Sequence, residues 1–334
     1  MDEFRNITIL GAGSWGTTLA VVLSKQKQLK VNLWSAFKEQ AESILSTREN
    51  KDFLPGISIS RNIFVTSDLS EALTAEACIT AVPVEFLRDI LKKIDRTEIG
   101  LKNKFFLSVV KGIEIKNLKR PSEIIRDELS VNKVAVLSGP TIAKEVVKGL
   151  PTAVVISSEN KLIAKRFQKT FQGTNLRVYR GYDLIGIELA GALKNVIAIA
   201  CGISEGLGFG TNTKAALVTR GLVEIIRLGA KMGAKPETFW GIGGLGDLST
   251  TAFSPDSRNR SVGQKIGQGL KLKDVLKNMK MVAEGVKTVK SVHALSKKYK
   301  VDMPIANEVY RVLYLNKSPL KAVRDLMSRP FKAE

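Results

Sequence analysis

The sequence predicts a doubly wound α/β domain followed by a mainly α-helical domain. Three observations lead to this prediction: short β-branched runs alternate with helical patterns in the first half, a glycine-rich turn follows the first run, and strand patterns stop after Gly181. Alternation of this kind is typical of βαβ units with parallel strands. We therefore expect an α/β domain over residues 1–181 and a helical domain over residues 182–334.

The individual elements are predicted from the local spacing of apolar residues. Short β-branched or aromatic runs predict eight strands, over residues 7–10, 30–34, 63–65, 77–82, 104–110, 133–138, 153–157 and 176–179. Apolar residues three and four positions apart predict helices between them, over residues 14–27, 84–94, 121–129 and 160–170. The same spacing over residues 184–203 and 213–232 predicts long helices in the second domain.

The composition is that of a folded protein with an excess of positive charge. The 334 residues are 44% hydrophobic and 25% charged, and 52 basic against 32 acidic residues give a net charge of +20. Such a charge concentrates anions near the surface, and a phosphorylated small molecule is one candidate ligand. The basic residues form no long run and no aromatic-spaced motif, so the sequence predicts no nucleic-acid partner.

Residues 184–203 form the longest apolar stretch, which is long enough to span a bilayer. The stretch contains Glu188, Lys194, Asn195 and three glycines, which favours a buried helix over a membrane segment. The N-terminus carries acidic residues before the first apolar run and lacks the charge layout of a secretory signal. These features predict a cytoplasmic protein without an integral membrane segment.

The chain contains few residues of the types that bind transition metals. Cys78 and Cys201 each lie in an apolar segment and are expected to be core residues. His293 lies in a lysine-rich helical pattern and is expected to be structural or solvated. One histidine and two separated cysteines do not supply a zinc site, so we expect no metal cofactor.

The first predicted strand runs directly into Gly11-Ala12-Gly13-Ser14-Trp15-Gly16, and a helical pattern follows. This is the GxGxxG fingerprint of a dinucleotide-binding, Rossmann-like domain in its strand–turn–helix context. Gly11 permits the tight turn, Gly13 lets the backbone approach the pyrophosphate, and Gly16 lets the helix pack against the strand. An ordinary strand-to-helix turn is the alternative interpretation.

The end of the second predicted strand bears on which dinucleotide is bound. An NAD-specific site usually has an acidic residue there, whereas this chain has Ser35 and Lys38. We expect Ser35 to donate a hydrogen bond to a 2′-phosphate and Lys38 to supply positive charge. Because no carboxylate repels a 2′-phosphate, NADP(H) is expected to be accepted, and NAD(H) is not excluded.

Lys194 has apolar neighbours at each helical spacing, namely Ala190, Gly191, Ile197 and Ala198. Its side chain is therefore expected to face inward or into a cleft. A buried ammonium group needs a partner or a lowered pKa, and such a lysine can act as an acid or base near neutral pH. A lysine that extends its apolar stem to a domain edge is the alternative.

Three other polar segments are candidate partners of this lysine. Lys111 follows a predicted strand, at the edge where ligands bind in open α/β sheets. Asp247 ends a glycine-dense loop that begins at Gly241. Residues 257–260 form the polar cluster Ser-Arg-Asn-Arg, which can hold a phosphate through charge-assisted hydrogen bonds, although surface arginines are often merely solvated.

Taken together, these motifs resemble the bacterial NAD(P)-dependent glycerol-3-phosphate dehydrogenases, from Ile7 nearly to the end of the chain. Besides the glycine-rich loop, the resemblance rests on residues 53–56 (FLPG), 111–112 (KG), 138–141 (SGPT), 143–145 (AKE), 149–152 (GLPT), 192–198 (ALKNVIA), 243–248 (GGLGDL), 257–260 (SRNR) and 282–285 (VAEG). Many relatives have His or Arg just after the second-strand tryptophan, where this chain has Ser35 and Ala36.

The resemblance implies hydride transfer between NAD(P)(H) and sn-glycerol 3-phosphate or dihydroxyacetone phosphate, which supplies phospholipid synthesis. It implies that Lys194 is the proton acceptor, with Lys111 and Asp247 as catalytic neighbours that orient it. The predicted substrate-binding residues are Lys111, Gly139, Thr141, Lys194, Asn195, Asp247, Ser257, Arg258 and Asn259. The predicted dinucleotide-binding residues are Gly11, Gly13, Ser14, Trp15, Gly16, Lys111, Ala143, Arg258, Val282 and Glu284. A homodimer is the expectation from the family.

Three other functions stay open at this stage. Another two-domain dehydrogenase, for a sugar acid, a nucleotide sugar or a keto acid, would share the fold. A non-catalytic dinucleotide sensor would bind cofactor without turnover, but it gives no reason for a lysine in an apolar helix. A peripheral protein held by its charge on acidic lipid is the third alternative, for which the sequence shows no amphipathic anchor.

Overall fold

The computed structural model describes residues 3–94, 100–277, 279 and 283–330. The chain divides into two compact units, the first comprising Met1–Lys111 and Lys119–Glu188, the second Gly112–Leu118 and Leu189–Glu334. The short segment 112–118 belongs to the second unit, where the Ser291 hydroxyl donates to the carbonyl oxygen of Ile113 at 2.9 Å. A domain division after residue 181 remains a prediction.

The first unit alternates strands and helices along the chain. Its strands are β1 (Asn6–Leu10), β2 (Lys30–Trp34), β3 (Glu49–Asn50), β4 (Leu54–Ser58), β5 (Ile63–Thr66), β6 (Ala77–Thr80), β7 (Phe105–Ser108), β8 (Val134–Ser138), β9 (Thr152–Ser157) and β10 (Leu176–Gly181). Its helices are α1 (Ser14–Leu23), α2 (Lys38–Thr47), α3 (Leu69–Ala72), α4 (Val84–Lys92), α5 (Pro121–Leu129), α6 (Ala143–Val147) and α7 (Lys161–Thr170). A short 3-10 turn, Leu101–Asn103, precedes β7.

Eight of these strands form one sheet in the order β10-β9-β8-β7-β6-β1-β2-β5, and β3 and β4 form a separate antiparallel pair. The eight sheet strands are the eight that the sequence predicts, so the predicted α/β fold class is confirmed. The β3–β4 pair and helix α2 were not predicted from the sequence.

One strand departs from the predicted parallel pattern. β9 pairs antiparallel with β8, and β10 then pairs parallel with β9. The only helix between β8 and β9 is the five-residue α6, whereas β9 has six residues. A helix rises about 1.5 Å per residue and a strand more than 3 Å, so α6 is too short to return the chain for a parallel pairing.

Apolar side chains cover both faces of the sheet. Ile9 of β1 packs in the cluster that contains Leu19 of α1 and Phe167 of α7. Leu10, the next residue, packs in the opposite cluster with Ile124 of α5. Consecutive residues of a strand point to opposite faces, so helices bury both sides of this sheet.

The second unit is helical wherever the structure describes regular elements in it. Helix α8 (Leu184–Gly206) begins in the first unit and continues into the second. It is followed by α9 (Thr211–Lys231), α10 (Asp247–Phe253), α11 (Arg258–Gly267), α12 (Leu272–Lys277), α13 (Glu284–Lys298), α14 (Pro304–Tyr314) and α15 (Pro319–Met327). A 3-10 turn (Pro236–Trp240) and a π-helical turn (Ile242–Gly246) precede α10. The predicted mainly helical C-terminal part is confirmed.

Helix α8 is long and apolar enough to cross a membrane, yet 94% of its most apolar window is buried inside the protein. A buried core helix satisfies the same criteria of length and composition. The structure therefore agrees with the prediction of a buried helix.

Helices α8 and α11 approach each other at backbone distance. Gly202 and Gly206 of α8 lie against α11, and Gly263 and Gly267 of α11 lie against α8. A Cβ atom at any of the four would overlap a carbonyl oxygen of the opposite helix. Because no larger residue fits, the glycines set the helix separation and bring the start of α11 close to the middle of α8.

A buried carboxyl group of α9 predicts a pH-dependent stability. Glu224 accepts hydrogen bonds from the backbone N–H groups of Ile305 (2.7 Å) and Ala306 (3.1 Å), at the start of α14. Burial is the main cause that raises the pKa of Glu224 to about 7, although these two hydrogen bonds lower it. The nearby charge of Asp302 also raises this pKa, and that of Arg227 lowers it. The folded state thus holds a proton that the unfolded state releases near its ordinary pKa of 4.5.

The stability from this group is therefore fully present below about pH 4.5 and lost as the pH rises to about 7. The loss amounts to at most about 3 kcal/mol. We expect the melting temperature of the wild type, relative to that of Glu224→Gln, to fall by several degrees between pH 5 and pH 8. A difference that stays constant over this range would contradict the assignment.

Candidate active site

The glycine-rich loop follows β1, which lies between β6 and β2 in the sheet. The strand order reverses here, since the chain runs outward from β1 to β2 and later returns to β6 on the other side. Open α/β sheets bind ligands at such a switch point. Gly11 has φ of +120°, and a Cβ atom there would lie 2.9 Å from the carbonyl carbon of Ala81, just after β6. Only glycine fits this turn.

The rest of the loop leaves donors available at the start of α1. A Cβ atom at Gly16 would overlap the carbonyl oxygen of Gly11, whereas one at Gly13 would meet nothing within 4 Å. Gly13 is the N-cap of α1 and provides no capping side chain. The indole Nε1 of Trp15 is buried without a hydrogen-bond partner among the described residues. An open, uncapped helix N-terminus of this kind is suited to a pyrophosphate.

Two side chains bind the backbone of the glycine-rich loop. The carbonyl oxygen of Ala12 accepts hydrogen bonds from Gln40 Nε2 at 3.0 Å and from Asn50 Nδ2 at 2.8 Å. Ser35 is fully buried, and its hydroxyl donates to Gln40 Oε1 at 2.5 Å. Ser35 therefore supports the loop through Gln40, a role that differs from the predicted contact with a 2′-phosphate.

A cavity of about 350 Å³ opens beside α2 and the β3–β4 pair. Its lining includes two aromatic rings, one cation and three carboxylates, namely Phe37, Phe53, Lys51, Glu39, Glu49 and Asp52. Lys38 is not part of the lining; its side chain is 76% exposed and its ammonium group lies 3.8 Å from the carboxylate of Glu42. The surroundings of the β2 end are thus mixed in charge.

Lys111 and two residues of the next strand-to-helix connection come together in the first unit. Lys111 follows β7, and Gly139 and Thr141 follow β8, at the edge of the sheet that carries the glycine-rich loop. Lys111 Nζ donates to the carbonyl oxygen of Gly139 at 2.9 Å and to Thr141 Oγ1 at 3.1 Å. Gly139 has φ of +145°, which side chains rarely adopt. Three predicted substrate residues therefore form one hydrogen-bonded group.

Ala143, a predicted dinucleotide residue, begins α6. Its carbonyl oxygen accepts a hydrogen bond from Thr18 Oγ1 of α1 at 3.4 Å, so α6 lies beside the helix that the glycine-rich loop opens.

Lys194 lies in the second unit, in the middle of α8, and only 5% of the residue is exposed. Its ammonium group donates to the carboxylate of Asp247, which is 1% exposed, and to Thr251 Oγ1 at 2.5 Å. Thr251 Oγ1 in turn donates to the carbonyl oxygen of Asp247 at 2.7 Å. Lys194 is therefore paired inside the protein and does not extend to a surface.

The glycine-dense loop positions Asp247. Asp247 begins α10, directly after the π-helical turn Ile242–Gly246. A Cβ atom at Gly244 would overlap the carbonyl oxygen of Phe239, so glycine is needed for the close packing of this turn. Thr251 was not predicted; it lies four residues after Asp247 on the same helix and therefore on the same face.

Asn195 and Asn259 connect three helices. Asn259 Nδ2 donates to Asn195 Oδ1 of α8 at 2.9 Å, and Asn259 Oδ1 accepts from the backbone N–H of Gly285 in α13 at 3.0 Å. Both asparagines are buried. A Cβ atom at Gly285 would lie 2.6 Å from Asn259 Oδ1, so glycine is required beside the amide. The neighbour of Lys194 is thus joined to the start of α11.

The polar cluster at residues 257–260 forms the start of α11. Ser257 is the N-cap, and its Oγ accepts from the backbone N–H of Arg260 at 3.3 Å. The guanidinium of Arg260 donates to Glu205 at 2.6 Å, whereas Arg258 is exposed. The two arginines therefore differ: Arg260 is tied into the helix packing, and Arg258 is accessible at the helix N-terminus.

Two predicted dinucleotide residues lie near the start of α13. Glu284 is the first residue of α13. Val282 lies outside the described residues.

The cysteines and the histidine take no part in these clusters. Burial raises the pKa of both Cys78 and Cys201 to about 12, which keeps the thiols protonated. His293 stacks on Tyr310 with ring centroids 3.9 Å apart, and its Nδ1 lies 2.9 Å from Asn307 Oδ1. Within the described ranges, no group of three or more His, Cys, Asp or Glu side chains is arranged to hold a metal ion.

The sequence matches two family models along most of its length. Residues 6–164 match the N-terminal model of NAD-dependent glycerol-3-phosphate dehydrogenase, and residues 183–324 match its C-terminal model. The chain belongs to the family of NAD-dependent glycerol-3-phosphate dehydrogenases. The resemblance drawn from the sequence motifs is therefore confirmed.

Individual members of this dehydrogenase family are similar over both units. The glycerol-3-phosphate dehydrogenase [NAD(P)+] of Thermoanaerobacter sp. (strain X514) is 47% identical over 329 residues, which cover 98% of each chain. The crystal structure of glycerol-3-phosphate dehydrogenase from Coxiella burnetii has a TM-score of 0.92 at 36% identity, covering 97% of this chain and 99% of that one. The enzyme from Saccharomyces cerevisiae has a TM-score of 0.83 at 28% identity, with coverage of 98% and 100%.

Proposed function

We propose that this chain interconverts sn-glycerol 3-phosphate and dihydroxyacetone phosphate by hydride transfer with NAD(P)(H). The observation that carries the proposal is the buried contact of Lys194 with Asp247 and Thr251, in a chain of this dehydrogenase family. A buried ion pair contributes little net stability, because its desolvation offsets its attraction. A dinucleotide sensor would have no use for this arrangement, whereas a dehydrogenase needs a group that carries a proton.

The first unit has the features that a dinucleotide requires. Gly13 leaves open space at the N-terminus of α1, and Trp15 Nε1 is a buried donor without a partner among the described residues. The loop residues Gly11, Gly13, Ser14, Trp15 and Gly16 would hold the pyrophosphate. Bound there, the nicotinamide ring supplies the hydride acceptor or donor for C2 of the substrate. From the family resemblance we assign further dinucleotide contacts to Lys111, Ala143, Arg258, Val282 and Glu284.

Lys194 moves the proton. In oxidation its amine takes the proton of the C2 hydroxyl group, and in reduction its ammonium form returns a proton to the C2 oxygen. Asp247 stabilises the ammonium form by charge, and Thr251 fixes Nζ from a second direction. The two partners thus orient the proton carrier and restrict its motion.

The start of α11 holds the substrate phosphate. Arg258 is an exposed residue that carries a positive charge, and the N-terminal N–H groups of this ten-residue helix add partial positive charge. Ser257 and Asn259 flank Arg258 and complete the phosphate contacts. Asn195 keeps Asn259 in place through the 2.9 Å hydrogen bond between their amides.

The Lys111 group of the first unit supplies the remaining substrate contacts. Lys111 Nζ is held by Gly139 and Thr141, so its charge is fixed at the sheet edge. A fixed cation there stabilises negative charge on the substrate.

The remaining assignments follow from the family and the composition. The substrate is a phosphorylated small molecule, the protein acts in the cytoplasm as a homodimer, and its glycerol 3-phosphate supplies phospholipid synthesis. The net charge of +20 favours a substrate that is an anion.

A substrate profile tests the proposed function. Purified protein with NADH or NADPH should reduce dihydroxyacetone phosphate much faster than ketopantoate. With NAD+ or NADP+ it should oxidise sn-glycerol 3-phosphate much faster than 6-phosphogluconate. Dinucleotide binding without turnover on any of these substrates would indicate a sensor. Faster turnover of ketopantoate or 6-phosphogluconate would assign the chain to another dehydrogenase class.

The charges near the end of β2 predict that both dinucleotides are accepted. Lys38 and Lys51 favour a 2′-phosphate, while the carboxylates of Glu39, Glu49 and Asp52 oppose it. We expect the Michaelis constants for NADH and NADPH to differ by less than about tenfold, or ~1.4 kcal/mol. Lys38→Glu should raise the Michaelis constant for NADPH more than that for NADH. A wild-type preference above about tenfold for either dinucleotide would contradict this balance of charges. An equal effect of Lys38→Glu on the two Michaelis constants would also contradict it.

A further inference from the structure

The first unit carries a strongly basic surface that uses none of the residues assigned above. Between Asn160 and Tyr182 the chain has six basic residues and no acidic one. Five of these cations lie on the side of the sheet that α7 covers, which we call the α7–β10 surface; they are Lys161, Lys165, Arg166, Lys169 and Arg180. Leu176 and Val178 of β10 pack in the same core cluster as α7, so Arg180 points to this side, whereas Arg177 and Tyr179 point to the opposite side. Gln168 Nε2 of α7 donates to the carbonyl oxygen of Val178 in β10 at 2.7 Å, which joins the helix to the strand.

Most of this charge is not neutralised within the protein. Arg166 pairs with Glu76 at 3.1 Å. The other four cations form no ion pair in the part of the chain that the structure describes. Lys161 lies instead over the ring of Tyr182, at 5.5 Å. The surface therefore presents a positive potential to solvent.

Apolar side chains are exposed among these cations. Leu162 is 52% exposed and Tyr182 is 45% exposed. Leu162 lines a shallow cleft of about 160 Å³ together with Lys165, Arg166 and Lys169. Exposed leucine and tyrosine side chains beside lysines are typical of surfaces that lie at a membrane interface.

We propose that the α7–β10 surface docks on a bilayer that contains acidic phospholipids. The cations would face the headgroup phosphates, and the side chains of Leu162 and Tyr182 would enter the interfacial layer. A charge on an edge strand that prevents strand pairing would explain Arg180, but not the three lysines of α7.

Two other occupants fit the surface less well. A second copy of the chain would bring like charges together, which disfavours self-association through this face. Single-stranded RNA would need ring faces on which bases can stack, but one face of Tyr182 is already covered by Lys161. Acidic lipid requires only the charge and the exposed apolar side chains.

Vesicle co-sedimentation tests the proposal. The wild type should sediment with phosphatidylcholine vesicles that contain phosphatidylglycerol, but not with phosphatidylcholine alone, and salt should weaken the binding. The triple variant Lys161→Gln/Lys165→Gln/Lys169→Gln should lower the partition coefficient by a factor of about 10². The matched control Lys271→Gln/Lys273→Gln/Lys277→Gln removes three exposed lysines from the second unit and should change it by less than about twofold.

A third variant separates apolar insertion from charge. Leu162→Ser should weaken binding to acidic vesicles several-fold without changing its dependence on salt. All variants should keep wild-type turnover, which shows that they are folded.

Several outcomes would overturn the proposal. One is the absence of the wild type from the acidic-vesicle pellet, and another is equal binding of the two triple variants to acidic vesicles. Binding to single-stranded RNA without binding to vesicles would identify a nucleic-acid surface instead. A change of sedimentation coefficient in the α7 triple variant alone would identify a contact between copies of the chain.

Discussion

Replacing Lys194 with alanine should lower turnover by a factor of about 10² to 10⁴, the usual contribution of a positioned acid or base. The affinity for the dinucleotide should stay within about twofold, because the glycine-rich loop and its supports Gln40 and Asn50 lie in the other unit. Steady-state kinetics of dihydroxyacetone phosphate reduction, with dinucleotide titration by fluorescence, measures both quantities.

The same substitution leaves the Asp247 carboxylate buried without its ammonium partner, which costs about 3–5 kcal/mol of stability. Lys194→Met/Asp247→Asn removes this charge and should recover much of the melting temperature without recovering turnover. Lys104→Met is the matched control, since Lys104 is 8% exposed and its sole hydrogen bond among the described residues is to the carbonyl oxygen of Ala75 at 2.6 Å. It should lose stability but keep turnover per folded molecule. Near-normal turnover of the Lys194→Ala variant would refute the role of Lys194 as the proton carrier.

Replacing Arg258 with alanine should raise the Michaelis constant for dihydroxyacetone phosphate by a factor of about 10 to 10², as expected for loss of a charge-assisted hydrogen bond to phosphate. Turnover at saturating substrate should fall less. The same variant should lose little rate with glyceraldehyde or dihydroxyacetone, which lack the phosphate. Initial rates over a range of substrate concentrations separate the two parameters.

Arg260→Ala provides the control for Arg258. Arg260 lies two residues further along α11, and its guanidinium is bound to Glu205, whose pKa it lowers. Loss of the Arg260 side chain should reduce the melting temperature. The Michaelis constant for dihydroxyacetone phosphate, measured on the folded enzyme, should stay nearly unchanged. An unchanged Michaelis constant in Arg258→Ala, or equal changes in both variants, would rule out the phosphate contact.

The strands could be predicted because each is a short run of buried apolar residues. β2 and α5 have the bounds that the sequence pattern gives, since turn residues and Pro121 mark their ends. The direction of β9 could not be predicted, because it depends on how α6 packs rather than on the composition of β9. The placement of segment 112–118 in the second unit depends on contacts such as that between Ser291 and Ile113, which no local pattern contains.

Part of the candidate site could be predicted because some of its residues carry a signal in the local sequence. Lys194 was recognisable because a charged residue among apolar ones is unusual, and Asp247 because its loop has more glycine than a turn needs. Thr251 has no such signal, since its neighbour Thr250 is identical in type and only the start of α10 distinguishes them. The support of the loop by Ser35 and Gln40 was also missed, because a buried hydroxyl and an exposed one look alike in sequence.

Rescue of Lys194→Ala by small primary amines tests most directly whether the side chain of Lys194 carries the proton. Methylamine and ethylamine are small enough to replace the deleted ammonium group, so turnover should rise with amine concentration and vary with amine basicity. The Lys194→Met variant keeps the space filled and should show no rise. A Lys194→Ala enzyme that is folded, binds dinucleotide and yet gains no activity from any amine would contradict the assignment of proton transfer to this residue.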